Sequence, residues 1–221
     1  MAELIGQVPG LTIITASCGS GKSHLIKYLL YAKSIQRQFD YCFVFTNTTE
    51  DYEFVDPTHV ILPLSSDFVE EKLINILRIQ KLNGGATGTG NRCILIFDDC
   101  LGSIRFDSKV FTILNTQYRH FNVGLIYSTQ YPNKLPPTIR ECAYSAVIFK
   151  QHTLRSINAN YESFGQRFFN TLKEFKSYID SNTDNYSFVL VNNRASTNQF
   201  ADCYKVLKAP AKIPHFYLNF N

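Results

Sequence analysis

The chain has no run of eighteen apolar residues, so none of its 221 residues read as a transmembrane helix. Its opening stretch, MAELIGQVPG, lacks the basic segment and apolar core of a signal peptide, so a soluble, non-secreted protein is expected. The six cysteines (Cys18, Cys42, Cys93, Cys100, Cys142 and Cys203) fall in no CxxC or Cys/His spacing, which argues against a zinc site and against a disulfide framework. Four of them lie in or beside apolar runs, where a free buried thiol is the expected state. There is no internal repeat and no strong basic run. The net charge of +4 permits a nucleic-acid partner without demanding one. With 45% hydrophobic residues the chain can bury a substantial core, and its length suits one α/β domain over residues 1–221.

Against these absences stands Leu11–Ser23, LTIITASCGSGKS. A β-branched apolar run feeds a loop of small residues that closes on Gly21-Lys22-Ser23. A helical pattern, HLIKYLLYAKSIQRQ, follows. Strand, small-residue loop and helix make the context of a Walker A phosphate loop. The helix N-terminus offers unpaired N–H donors and the positive end of a dipole to a phosphate chain. Residues Ser17, Cys18, Gly19, Ser20 and Gly21 let the backbone curl around a phosphate. Lys22 would reach the β- and γ-phosphates of ATP as a point charge, and Ser23 would place its hydroxyl on Mg²⁺. The usual first glycine of the motif is Ala16 here, the small residue most easily tolerated in its place.

Strand and helix patterns alternate along the rest of the chain. YCFVFT (41–46) and THVILPL (58–64) read as strands, separated by a polar turn, NTTEDYEF. Residues 67–81 read as an amphipathic helix with Ser66 or Asp67 as N-cap and Ile79–Gln80 in its apolar stripe. NGGATGTGNR (83–92) is a glycine-rich loop that no Gly-Lys-Ser closes. CILIF (93–97) is the most apolar strand, and a helix is expected from about Asp107 to Tyr118. VGLIYST (123–129), YSAVIFK (144–150) and YSFVLVNN (186–193) read as further strands, with helices between 152 and 180. The last forty residues suit a late strand pair on the sheet edge. The alternation predicts a mainly parallel α/β sheet with helices on both faces, and with the phosphate loop the fold expected is a three-layer P-loop NTPase sandwich of the ASCE or RecA-like kind.

Asp98 and Asp99 close the most apolar strand, and strand C-termini line the ligand crevice of open α/β sheets. Asp98 is placed to hold Mg²⁺, and Asp99 to orient and deprotonate an attacking water. Lys22 and Asp98 lie 76 positions apart, which suits a strand inserted between the Walker A and Walker B strands. Gln130 ends the next strand, where an amide can contact the γ-phosphate or the water. Arg119, in TQYRHFNVG, and Arg140, in LPPTIRECA, are candidates for a guanidinium supplied to the γ-phosphate, often from a neighbouring subunit. Each of the two, taken singly, reads equally well as a surface or helix-end arginine.

Four blocks in order, ASCGSGKS, CILIFDDC, QYRHFNVGLIYSTQ and LPPTIREC, resemble the poxvirus-type genome-packaging ATPases of the FtsK/HerA superfamily. The likeness covers about residues 10–150. It implies a ring-forming homo-oligomeric motor that pumps double-stranded DNA into a preformed capsid, with Gln130 as polar sensor, Arg119 as the foremost trans-acting finger and Arg140 second. Family members often carry Asn shortly after the Ile-Arg, where this chain has Cys142. DNA would be held through phosphates and without sequence preference. Candidate contacts are the 83–92 loop with Arg92 and the Gly102–Phe106 loop with Arg105. A capsid vertex protein is a further possible partner, and host cytoplasm or virion the expected location. The alternatives are a P-loop nucleoside or nucleotide kinase, a DNA-translocating or helicase-like ATPase outside packaging, and a nucleotide-gated assembly module without catalysis.

Overall fold

The computed structural model describes residues 5–84 and 90–220. Eight strands form one sheet: β1 (Gly10–Thr15), β2 (Tyr41–Thr46), β3 (Val60–Ile61), β4 (Cys93–Asp98), β5 (Val123–Thr129), β6 (Ser145–Ile148), β7 (Ser187–Asn192) and β8 (Tyr204–Lys208). The helices are α1 (Lys22–Ile35), α2 (Ser66–Leu82), α3 (Lys109–Gln117), α4 (Pro137–Cys142), α5 (Leu154–Asn160), α6 (Leu172–Asn182) and α7 (Phe200–Cys203). Across the sheet the order is β3-β2-β4-β5-β1-β6-β7-β8. Every pairing from β3 to β6 is parallel. β7 pairs antiparallel with β6, and β8 antiparallel with β7, which places the expected late strand pair at the edge. β5 lies between β1 and β4, so the phosphate-loop strand and the aspartate strand are separated by one inserted strand, as their spacing predicts.

The near-continuous apolar character of the strands follows from burial on both faces. On one face Ile14, Val44, Ile94, Ile96 and Ile126 meet Leu25, Ile26, Leu29 and Leu30 of α1. On the other, Ile13, Leu95, Phe97 and Tyr127 meet Val69, Leu73 and Leu77 of α2, Phe111 and Leu114 of α3, and Phe175 and Ile179 of α6. The result is the three-layer sandwich expected of the sequence. Among the described residues no helix is long and apolar enough to cross a membrane. All six cysteines are free, and Cys42, Cys93, Cys100 and Cys203 are buried. Burial pushes the Cys100 thiol up to about 12, with Asp98 and Asp99 adding to the shift.

Several local readings shift. α2 begins at Ser66 because Ser65 is extended and its hydroxyl accepts from the Phe68 N–H at 3.1 Å, so the cap lies before the two residues expected for it. Gln80 is buried and donates to the Asn91 and Phe121 carbonyls, whereas Ile79 is exposed. Within THVILPL only Val60–Ile61 pair with β2, because Pro57 opens a 3-10 turn and Pro63 has no N–H to give a ladder. Residues 85–89 of the glycine-rich loop lie outside the described residues.

After β8 the chain crosses the α1 face back to the far side of the sheet. There Leu218 donates its N–H to Phe54 and accepts from Asp56, and Phe216 packs on Tyr31 and Phe54. This tail braces the turn that follows β2.

Phe97 stacks between Phe45 and Tyr127 at centroid distances of 4.9 and 5.0 Å, and it meets Phe106 and Phe111 edge-on. Phe97→Ala is expected to cost about 3–5 kcal/mol, as buried aromatic truncations do. Urea titration should show a lower midpoint with an unchanged slope.

Candidate active site

In the parallel register, strand ends that are far apart in sequence come to one level. Thr46 pairs with Asp98, Asp98 with Ser128, Thr129 with Thr15, and Thr15 with Ile148. Whatever follows each of these residues is therefore delivered to the same edge of the sheet. A cleft of about 440 Å³ opens there, lined by Ser17, Cys18, Gly19, Gly21, Lys22, Ser23, Asp51, Asp98, Asp99 and Gln130, with Thr48 and His24.

The loop between β1 and α1 takes its shape from backbone contacts to the neighbouring strands. Ala16 donates to the Thr129 carbonyl and Ser17 to that of Lys150. Ala16 itself is buried, so the residue that replaces the usual glycine fills space in the core. Gly19 and Gly21 have φ of +74° and +99°, in the left-handed region where a side chain is strained. Ser20 does not line the cleft; its hydroxyl donates to the Lys150 carbonyl at 3.3 Å. α1 starts at Lys22 with Gly21 as N-cap, so its unpaired N–H groups face the cleft edge.

The Lys22 ammonium ion-pairs with Asp99 Oδ2 and lies 3.4 Å from Asp98 Oδ1. Asp98 is buried and Asp99 about half exposed. Asp99 has φ of +51°, an uncommon conformation for which aspartate is one of the enriched residues. It turns the chain out of β4 while its N–H still donates to Ser128. Asp98 Oδ2 accepts from the Tyr52 hydroxyl at 2.8 Å. Burial, and then the Asp98 charge and hydrogen bond, push the Tyr52 phenol well up, so it stays a protonated donor.

In the sequence Asp51 and Tyr52 belong to a polar turn, with no motif to mark them. They sit on a 3-10 turn, Thr49–Tyr52, immediately beyond β2. The usable signal was the strand itself. A parallel strand ending next to the aspartate strand must deliver its following loop to the same crevice. The Ser23 hydroxyl donates to Asp51 Oδ2 at 3.3 Å, which adds a third carboxylate to the cleft.

These donors suit Mg²⁺. Asp98 Oδ1 is a buried oxygen with no hydrogen-bond partner, and the Ser23 hydroxyl and Asp51 add further hard oxygens. Among the described residues no three His, Cys, Asp or Glu side chains gather as a metal site. Mg²⁺ is commonly bound through one or two carboxylates, water and substrate phosphates rather than by such a cage.

A family model described as Poxvirus A32 protein matches residues 4–206. The chain belongs to that family. Among relatives of this chain, protein 075L of Invertebrate iridescent virus 6 is 26% identical over 190 residues, covering 84% of this chain and 71% of that protein. Protein 015R of Frog virus 3 (isolate Goorha) is 24% identical over 203 residues, covering 90% of this chain and 61% of that protein. The chain thus spans less than two thirds of the Frog virus 3 protein. The genome packaging NTPase B204 from Sulfolobus turreted icosahedral virus 2, solved in complex with ATP-gammaS, superposes with a TM-score of 0.65 at 17% identity, covering 90% of this chain and 97% of that one. The pCW3 conjugation coupling protein TcpA gives 0.61 at 12% identity, covering 98% of this chain and 62% of that one. At these identities the likeness establishes a shared fold.

The arginines Arg119 and Arg140 lie away from the cleft in this chain. Arg119 sits in a 3-10 turn four residues before β5, at the other end of the seven-residue strand that leads to Gln130. That is on the order of 20 Å along the sheet. Its guanidinium lies over Tyr118 and Tyr144, and Arg194 approaches Tyr144 at 4.4 Å. Arg140 lies in the last turn of α4 and donates to the Leu135 carbonyl and the Ser163 hydroxyl. Arg92 pairs with Asp40 and Arg105 with Asp67, both at the surface. Among the described residues lining the cleft there is no arginine.

Tyr52→Phe removes the hydroxyl that Asp98 accepts from. It is expected to cost about 1–3 kcal/mol, the penalty for leaving a buried acceptor short of a partner. Thermal denaturation against the parent chain measures it.

Proposed function

We propose that this A32-family protein is an ATP-hydrolysing motor that translocates double-stranded viral DNA into a preformed capsid. Residues 1–221 would act as one ATPase domain within a homo-oligomeric ring. The observation that carries the reading is the meeting of Lys22, Ser23, Asp98, Asp99 and Gln130 in one cleft at the phosphate loop. Family membership and a fold shared with a protein named as a genome packaging NTPase support an ATPase of the packaging type.

In this mechanism the loop N–H groups and the α1 N-terminus cradle the phosphates. Lys22 exchanges its aspartate partners for the β- and γ-phosphate oxygens. Ser23 and Asp98 would hold Mg²⁺, which would neutralise phosphate charge there. The Tyr52 hydroxyl, donating to Asp98 Oδ2, orients that carboxylate. Asp99, more exposed than Asp98 and facing the cleft, takes the proton of the attacking water. The Gln130 amide, one residue beyond β5, orients that water and senses the γ-phosphate. The lack of an arginine among the described cleft residues supports a finger supplied by a neighbouring subunit, with Arg119 the first candidate and Arg140, already engaged within its own chain, the second.

Arg92 and Arg105 are candidates for contact with DNA phosphates. Exposed ion pairs like theirs are worth little and exchange readily. A capsid vertex protein is the proposed docking partner, and host cytoplasm or virion the proposed location.

Lys22→Ala is expected to abolish ATP turnover, whereas Asp99→Asn should still bind ATP but hydrolyse it on the order of a hundredfold more slowly. A coupled assay with long double-stranded DNA of arbitrary sequence reads both. Turnover unchanged in Lys22→Ala, or a phosphorylated nucleoside as product, would sink the assignment. Mixing Arg119→Ala subunits with Lys22→Ala subunits is expected to restore part of the activity, because some interfaces then pair an intact loop with an intact finger. Verified mixed rings that stay inactive would remove Arg119 from that role.

A further inference from the structure

A second cavity of about 380 Å³ adjoins the phosphate cleft and shares Gly21 and His24 with it. Its other walls are Phe149 beyond β6, Tyr186 before β7, and Lys208, Ala209 and Ala211 after β8. None of these residues was marked by a motif.

Tyr186 is the unusual member. The residue is 64% exposed, in a position where it contributes little to the core. Its φ is +62° and that of Asn185 is +52°, so two successive non-glycine residues hold left-handed backbone. Such conformations cost energy and persist only where the surroundings enforce them. Here the turn is closed by the Ser187 N–H, which donates to the Asp184 carbonyl at 3.0 Å as β7 begins. Lys150 pairs with Asp184 at 2.6 Å, while its carbonyl accepts from Ser17 and Ser20 of the phosphate loop. The turn that carries Tyr186 is thereby tied to the loop itself. The ring lies so close to it that a Cβ on Gly21 would sit 3.2 Å from Tyr186 Cδ1. Across the cavity His24 Nε2 donates to the Pro210 carbonyl at 2.7 Å, which fixes the segment after β8 to the first turn of α1.

An aromatic face, apolar walls and an opening onto a phosphate site suit a flat heteroaromatic ring attached to a phosphate chain. We infer that Tyr186 stacks on the purine base of the bound nucleotide, with Ala209–Ala211 as the outer wall of the base subsite. The inference rests on the reading that the neighbouring cleft takes the phosphates of ATP. The ribose would pass Gly21, the residue the two cavities share. A side chain at that position would crowd both the backbone turn and the Tyr186 ring.

The test compares equilibrium binding of Mg²⁺-ATP and Mg²⁺-tripolyphosphate, which has the phosphates without the base. Tyr186→Ala is expected to weaken ATP binding roughly tenfold, the loss of one base–aromatic stack. Tripolyphosphate binding should be unchanged, and Tyr186→Phe, which keeps the stacking face, should bind ATP like the parent. Unchanged ATP affinity in Tyr186→Ala, or equal losses for the two ligands, overturns the inference. A failure of the phosphate site itself looks different. The parent chain then binds neither ligand, or Lys22→Ala binds both as the parent does, and the nucleotide reading and the base subsite fall together.

Discussion

The parallel register of β2, β4, β5 and β1 is the constraint on which the site depends. Thr46, Asp98, Ser128, Thr129 and Thr15 end at one level because each N–H···O ladder fixes its neighbour. A slip of one residue in β4 would reverse its two faces, sending Phe97 toward α1 and carrying Asp98 off its level. The dense aromatic packing around Phe97 therefore protects the geometry of the carboxylates next to it.

Charge at the cleft is held in an unequal balance. Asp51, Asp98 and Asp99 line a cleft that holds one lysine, which pairs with the last two, and buried Asp98 keeps one oxygen without a hydrogen bond. Three carboxylates and one ammonium in the same cleft favour added positive charge, whereas the helix N-terminus and loop N–H groups favour negative charge. A metal ion together with a phosphate chain meets both demands at once.

Features written in contiguous residues are legible in the sequence itself. The phosphate loop is one such segment. Asp98-Asp99 announces itself by ending the most apolar strand, and Gln130 by ending the next. The separation of Lys22 from Asp98 gave the inserted strand. What stayed hidden depends on pairing between distant segments. Asp51 and Tyr52 look like turn residues until β2 is known to lie beside β4. Ser65 becomes the cap of α2 only through its extended backbone, and Gln80 is drawn inside by two carbonyls from other segments. Tyr186 and Ala209–Ala211 come to the phosphate loop only because β7 and β8 extend the sheet and the tail turns back over α1. Arg119 illustrates the opposite limit. Its sequence neighbourhood suggested a role, yet the strand it precedes carries it away from its own cleft.

Lys150 has a consequence for how the chain can be divided. Its carbonyl steadies the phosphate loop and its ammonium holds the turn before β7, so one residue joins the motif-bearing part to the part without motifs. Cutting the chain just after it would retain every recognisable block. It would also release the Asp184 anchor, bare the ladder groups along β6, and uncover Ile148 and Ala146 where α5 and α6 now shield them. A fragment of that kind would present an apolar edge strand to other chains, the usual route to aggregation. The span that can be recognised by motif is in that sense shorter than the span that can stay in solution.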